Sequence, residues 1–373
     1  MPPKGKISKS SKDSTKEFHK LFSEIYGARW KSLCYSLAQP TQHIALKNNF
    51  ICSDAQLVDG NDFQKLFTFQ NISCYSQNKW LTSYPAPSRE AVSCLRTHYW
   101  MDLASLLPVL LLDVRPGMAV LDMCAAPGGK SFALAQQLWA DMSSDASAPP
   151  SVSSPQPITL HASQGRLVCN EPDRQRVLRL NNVIEEHVPG ATRLQVDIKN
   201  YRGELYWQRN QRNTFDRVLV DAPCSSERHV VQQAAAAVFS DGLTGGAASV
   251  TKALMDTKGA VSSKMWSMTE CLETAALQFQ LCLAAVTALK PGGRLVYSTC
   301  SIVPDENDEV IRKLLKRVGV KVDVLPAKEV ASEISKGRGE GSEVAGEKMS
   351  LYDIFKFEET EYGIICLPDG PAG

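Results

Sequence analysis

The sequence predicts an α/β protein: a doubly wound, mostly parallel sheet with helices on both faces, preceded by a mainly helical N-terminal region. Three observations predict it. From about residue 99, short apolar runs rich in β-compatible residues alternate with segments whose apolar positions recur at helical spacing, the pattern of parallel strands joined by helical crossovers. A Gly128-Gly129 pair stands between one such run and the helical segment after it, marking a strand-turn-helix unit. The residues with chemical potential collect just past the ends of the strand runs, where open parallel sheets hold their ligands.

The elements follow in order. Residues 1–15 read as a disordered basic tail; the first twenty residues hold six Lys and no Arg, a poor match to an Arg-rich transit peptide. Residues 16–98 read as a helical region, because Phe18, Leu21, Phe22 and Ile25 recur at helical spacing and the pattern continues to about residue 60. Residues 99–373 form the remaining domain. There MDLASLLPVLLL reads as a mostly buried helix, and GMAVLDMCAAPGGKSFALAQQL as strand, turn and helix. RLVCNEPDRQRVLRLNNVIEEHV gives a strand into a helix, ATRLQVDI a strand, and FDRVLVDAPCS a strand ending in a loop. LETAALQFQLCLAAVTALKPGGRLVYSTCS gives a long helix, a Pro-Gly-Gly turn and a strand. Three stretches break the rhythm, near 141–164, 231–263 and 337–347. Their Ser, Ala, Pro and Gly content reads as surface insertions in which disorder is expected.

Composition excludes several classes. The chain has 373 residues, with 43% hydrophobic and 22% charged, which rules out collagen-like, fully disordered and coiled-coil readings. Its 41 Lys and Arg against 40 Asp and Glu leave a net charge of +1, so it is neither a generic polyanion binder nor an acidic tail protein. The longest apolar stretch, Leu106 to Leu112, falls far short of the roughly 20 residues of a membrane span, and no membrane association is expected. Eleven cysteines stand well apart with no CxxC pair, so neither a metal site nor a disulfide framework is expected. Free thiols make any cysteine inside a motif a candidate nucleophile.

The motifs lie at the strand ends. CAAPGGKS lets backbone approach a ligand closely. It is not a phosphate-binding P-loop, because Cys124 fills the first glycine position, and with Gly128 and Gly129 adjacent the dinucleotide G-x-G-x-x-G is absent too. Glu171 ends the second strand roughly where an acid takes a ribose hydroxyl pair, and Asp197 ends the third in the same relative place. Each alone is an ordinary cap or loop acid; both beside a glycine turn suggest a bound nucleoside. Asp221, Pro223 and Cys224 follow the fourth strand and Cys300 the fifth. One strand-end thiol is usually a small buried hydrophobe, whereas two at neighbouring strands, one beside an Asp, suggest a chemical site.

Together DMCAAPGGKS, DAPCSSERH and LKPGGRLVYSTCSIVPDENDEVI resemble the motifs of the Sun-domain, or RsmB-type, S-adenosylmethionine-dependent RNA cytosine C5 methyltransferases. The upstream ASLLPVLLLDVRPGMAVLDMCAAPGGKS looks most like their small mitochondrial members. The likeness runs from about Tyr99 to Asp369, outside the insertions. It implies a Rossmann-like class I methyltransferase fold, S-adenosyl-L-methionine as cofactor, and RNA, tRNA or rRNA with a loop cytosine, as substrate. By the same resemblance Cys300 is the nucleophile and Cys224 assists product release. Asp221 hydrogen-bonds the cytosine near N3, and Lys130 supports the cofactor or the base. Cys124, Ala125, Ala126, Pro127, Gly128, Gly129 and Lys130 cradle the methionine part of the cofactor, Glu171 takes the ribose hydroxyls, and Asp197 lies near the adenine, with Asp221 bordering the pocket.

A base must leave its stack to reach such thiols, so a single-stranded loop is the natural substrate. Lys199, Arg202, Arg209 and Arg212 form a local basic stretch that could hold phosphates or simply face solvent; overall neutrality leaves room for a protein partner in the RNA grip. The resemblance implies a mitochondrial location, with cytoplasm and nucleus open on the weak leader signal. The competing reading is an RNA-binding ribosome or tRNA assembly factor with little turnover, against which the two retained thiols stand. A DNA or protein methyltransferase fits the paired thiols less well, since amine methylation needs no covalent catalyst. The chain ends at PDGPAG where the family it resembles continues into a final strand, so it is either a fragment or differs at the sheet edge.

Overall fold

A computed structural model describes residues 10–51, 63–77, 83–140, 165–240, 247–256, 261, 266–337, 342–344 and 347–369. Two helices, α1 (Ser10–Tyr26) and α2 (Trp30–Ala38), open it. Phe18, Phe22, Trp30, Leu33 and Leu37, three or four residues apart within each helix, are buried, giving one apolar face per helix. The N-terminus is therefore helical, but the expected helical extent of 16–98 is corrected beyond α2. β1 (His43–Lys47), β2 (Phe63–Phe69), β3 (Ile72–Gln77) and β4 (His98–Asp102) form an antiparallel sheet in the order β2-β3-β1-β4. The physical reason is a change of period: along β2 Phe67 and Phe69 are buried and Thr68 between them is not, as a one-sided strand requires.

The main sheet follows α3 (Leu107–Leu112). It is built from β5 (Ala119–Asp122), α4 (Gly129–Trp139), β6 (Arg166–Asn170), α5 (Arg174–His187), the single turn α6 (Gly190–Arg193), β7 (Val196–Lys199), α7 (Gly203–Asn210) and β8 (Phe215–Asp221). Then come α8 (Glu227–Ser240), α9 (Ala247–Met255), α10 (Met268–Ala288) and β9 (Leu289–Ser298). The strand order is β7-β6-β5-β8-β9 with every pairing parallel, the predicted Rossmann-like arrangement. From β5 the chain steps outward to β6 and β7, then returns to β8 on the other side. That reversal opens a crevice at the carboxyl ends of β5 and β8.

Alternation along the strands divides the core. Val120, Leu167, Cys169 and Leu219 face α3, α4 and the N-terminal sheet. Leu121, Val168, Val218 and Val220 face α7, α10 and α11 (Asp308–Val318). Helix α10 is long and apolar enough to cross a membrane by length and composition, but Ala275, Leu281, Cys282 and Ala285 are buried in this second core.

In two of the three expected insertions the described residues form regular elements. Residues 231–263 contribute most of α8 and the whole of α9, whose Val230, Val231, Ala234, Ala235, Val250 and Leu254 pack on Phe22, Trp30 and Leu33 of the N-terminal helices. The Ala-rich composition had masked a helical spacing of small apolar residues. Around 337–347, following α12 (Ala327–Gly337), the short strands β10 (Ser342–Val344) and β11 (Glu347–Met349) pair as an antiparallel hairpin. The 141–164 stretch lies outside the described residues.

Candidate active site

The crevice begins where β5 ends. Asp122 is fully buried and its Oδ2 accepts a 2.7 Å hydrogen bond from the Ser131 hydroxyl on α4, while its Oδ1 has no side-chain hydrogen-bond partner among the described residues. Burial pushes this carboxyl up to about 7; the Ser131 bond and Lys130 oppose the rise and the charge of Asp221 adds to it. The turn from Cys124 to Gly128 then leads into α4. Gly128 has φ +119°, and a Cβ there would stand 3.0 Å from that of Val183. A Cβ on Gly129 would lie 2.5 Å from Tyr99 Cε1. Only glycine allows this backbone shape and this close approach of α4 to β4. Arg176 of α5 donates to the carbonyl of Ala126 at 2.8 Å and pairs with Glu171 at 3.2 Å. Glu171 is buried and its Oε1 accepts the Asp173 N–H.

The ends of β8 and β9 bring the thiols together. Asp221 is in register with Ser298; its Oδ1 accepts the Ser298 hydroxyl at 2.8 Å, and its Oδ2 is 2.7 Å from Lys130 Nζ. Burial works against the charge on Lys130, yet Asp221 and Asp122 hold its pKa above the ordinary lysine value. Just beyond the strands, the sulfurs of Cys224 and Cys300 are 2.7 Å apart, both as free cysteines. Cys300 N–H donates to Cys224 Sγ at 3.3 Å.

The pair is electrostatically unequal. A hydrogen bond from the Cys224 thiol, and a second from Ser226, favour the Cys300 thiolate and lower its pKa against the opposing effect of burial. The same contact, with burial, pushes the Cys224 thiol up. Burial also raises Cys124, Cys169, Cys271 and Cys282, so among the described residues Cys300 alone is resolved as more acidic than an ordinary thiol.

Beside the turn lies a cleft lined by Cys124, Ala125, Ala126, Pro127, Gly129, Lys130 and Asp221, together with His43, Tyr99, Trp100 and Ser105. Lys130 and Asp221 line this cleft, and both lie close enough to Cys300 to act on its charge. Glu171 adjoins the turn through Arg176. Asp197 stands apart on β7, half-exposed and paired with Lys199 at 2.7 Å. In the basic stretch Lys199 is so engaged, and Arg202 pairs with Glu204 at 2.7 Å. Sequence reasoning missed Asp122, Arg176, His43 and Trp100. His43 sits in a strand of the region read as helix, while Trp100 lies in β4, which straddles the expected boundary at residue 98 and whose signal was the short β-rich run HYWMD.

With the site described, the chain can be set beside known proteins. The family model for the 16S rRNA methyltransferase RsmB/F matches residues 262–348, and the FtsJ-like methyltransferase model matches 109–300, half of the chain. The chain is 29% identical to the bovine (Bos taurus) 5-cytosine rRNA methyltransferase NSUN4, over 82% of this chain and 76% of that one. It is 34% identical to the Mus musculus mitochondrial tRNA (cytosine(34)-C(5))-methyltransferase, over 66% of this chain and 56% of that protein. Among solved structures, a methyltransferase homologue from Pyrococcus horikoshii superposes with a TM-score of 0.54 at 24% identity, covering 86% of each chain. NSun6 from the same organism, solved with SFG, superposes at 0.52 with 14% identity, over 81% of this chain and 87% of that one; both likenesses concern the fold.

Proposed function

Because the chain belongs to the RsmB/F, or Sun-domain, family of methyltransferases, we propose that it methylates C5 of a cytosine in RNA with S-adenosylmethionine as donor, on mitochondrial rRNA or tRNA. One observation carries the mechanism: two unbridged thiols, one acidified and one not, 2.7 Å apart beside a Lys130–Asp221 pair. The residues fit the cofactor. The turn at Gly128 and Gly129 leaves no room for a Cβ, Asp122 Oδ1 is buried without a side-chain partner among the described residues, and Arg176 ties the turn to the buried Glu171. Cys124 to Lys130 would hold its methionine part, Glu171 its ribose and Asp197 the adenine side. When bound, the cofactor supplies an electrophilic methyl group.

The chain's own residues supply the rest. Cytosine C5 is a poor nucleophile, so the Cys300 thiolate adds to C6, forming a C–S bond and moving the electron pair to C5. Asp221, held by Ser298 and Lys130, faces the base near N3 and relays to it a proton from the Lys130 ammonium, which offsets the charge that develops there. Once Cys300 is a neutral thioether, the charge that had kept Cys224 protonated is gone. Cys224 can then lose its proton to solvent and take the proton from the methylated C5, and the returning electrons expel the Cys300 thiolate.

The test is a denaturing gel after incubation with S-adenosylmethionine and mitochondrial RNA. Cys224→Ala accumulates a nuclease-sensitive protein–RNA species, while Cys300→Ala binds cofactor but neither traps RNA nor transfers a methyl group. Full transfer by Cys300→Ala refutes the assignment of nucleophile. No trapped species in any variant, with cofactor binding intact, favours an assembly factor without turnover.

A further inference from the structure

Behind the two thiols lies a pair of acids that the proposed reaction does not use. Glu227, at the start of α8, and Glu306, six residues beyond Cys300, are both fully buried. An oxygen from each and the sulfur of Cys271 lie within 4.8 Å of one another. We infer that Glu227 and Glu306 hold one proton between them through the hydroxyl of Ser225, with Glu227 as acid and Glu306 as carboxylate. This chain of donors fixes the Cys224 and Cys300 loops against each other. The link to catalysis rests on the proposed role of the thiols.

Proton counting supports it. Ser225 Oγ is in hydrogen-bond contact with both Glu227 Oε1 and Glu306 Oε1. Two such contacts need two protons, and a serine hydroxyl supplies one. A carboxyl must supply the other. Glu306 Oε2 already accepts the Ser225 N–H at 3.1 Å and the Gln278 side-chain amide at 2.8 Å, and its Oε1 is 3.3 Å from the Ser301 hydroxyl. That is the environment of an anion. Glu227 has the weaker set of donors: its Oε2 accepts the Ile302 N–H at 2.9 Å and its own backbone N–H also bonds the carboxyl, with no side-chain amide and no second hydroxyl beside them among the described residues, so Oε1 is the atom that donates. Burial raises the Glu227 carboxyl, and Glu306 raises it further.

The surrounding groups agree. Those facing the pair are Cys224 and Cys300 from the two loops, Cys271 from α10, Tyr297 from β9, and Tyr26 from α1, whose hydroxyl donates to Ile302 O at 2.8 Å. All are neutral or anionic, and among the described residues neither carboxyl has an ion-pair partner. Two buried carboxylates so placed cannot both stay ionised.

The consequence reaches the thiols through two short links. Ser225 follows Cys224, and its backbone and hydroxyl both end on Glu306. Ser301 and Ile302 follow Cys300 and end on Glu306 and Glu227. A charge on Glu227 also works against the Cys300 thiolate, so a neutral Glu227 both holds the loops and spares that thiolate. Glu227 and Glu306 are positioning residues, not catalytic ones.

The test uses the whole protein without RNA, so it stands or falls separately from the methylation reading. In the infrared difference between wild type and Glu227→Gln at neutral pH, the wild type carries a protonated-carboxyl C=O band that the variant lacks; the comparison cancels any contribution from Asp122. In parallel, the alkylation rate of Cys300 is followed with cofactor binding as the control for folding. Gln keeps a donor toward Ser225 and stays within about twofold of wild type, whereas Glu227→Ala slows alkylation about tenfold, equivalent to about one pH unit of thiol acidity. No difference band, or equal rates for Gln and Ala, overturns the proposal. Should Glu227→Ala fail to fold, the infrared comparison still decides.

Discussion

Replacing Asp122 by Asn gives a measurable change in how stability depends on pH. In the unfolded chain this carboxyl has the ordinary aspartate value of 3.8, and in the folded protein about 7. A raised acid has a definite sign: between those values the folded state keeps a proton that the unfolded state has lost, so folding takes up a proton. Stability contributed by the protonated group is full below pH 3.8, declines as pH rises, and is gone above about 7. At about 1.4 kcal/mol per pH unit the gap is worth up to about 4 kcal/mol. The amide introduced by Asp122→Asn cannot ionise and can still accept the Ser131 hydroxyl through its oxygen. The variant should therefore match the wild type near pH 4 and exceed it by up to about 4 kcal/mol near pH 7.5, from urea midpoints measured across that range. Parallel profiles for the two proteins would refute the idea that Asp122 is held protonated by burial.

Two other outcomes follow from packing and charge. Gly129→Ala places a methyl group 2.5 Å from Tyr99 Cε1, so it should cost about 1–3 kcal/mol of stability and weaken cofactor binding, and Tyr99→Leu in the same chain should recover part of the loss in thermal unfolding. Arg29→Ala removes the bonds to Glu358 and Asp369; a loss of about 1–2 kcal/mol and faster amide exchange in α1 are expected, and unchanged exchange would count against a tie between the chain's ends.

How much was legible in the sequence varies with the range of the interactions. The β5 turn and α4 were readable because glycine at 128 and 129, apolar spacing and a short strand are local signals. Cys224 and Cys300 were readable as a pair because parallel strands place their carboxyl ends side by side, and β8 and β9 are neighbours. The N-terminal sheet was not, since β1 pairs with β3 and β4 across the 48–71 and 48–97 stretches, distances at which periodicity says nothing. Helices α8 and α9 were hidden by alanine, whose weak apolar signal matters only once Trp30 and Leu33 cover it. Glu227 and Glu306 carried no signal of their own in the sequence, and only the folded chain shows that Ser225 brings them together beside the thiols.

The docking of α1 and α2 also bears on how the chain is made. Arg29 is bonded to Asp369, 340 residues away, and Tyr26 to Ile302, 276 away. The α1–α2 segment thus carries an aromatic face, Phe18, Phe22 and Trp30, whose partners, from Val230 to Leu367, are translated long after it. Until those partners arrive the face stays exposed to aggregation, so the nascent chain is vulnerable while α1 and α2 stand alone, and a nick near residue 369 would loosen the Arg29 contacts on them.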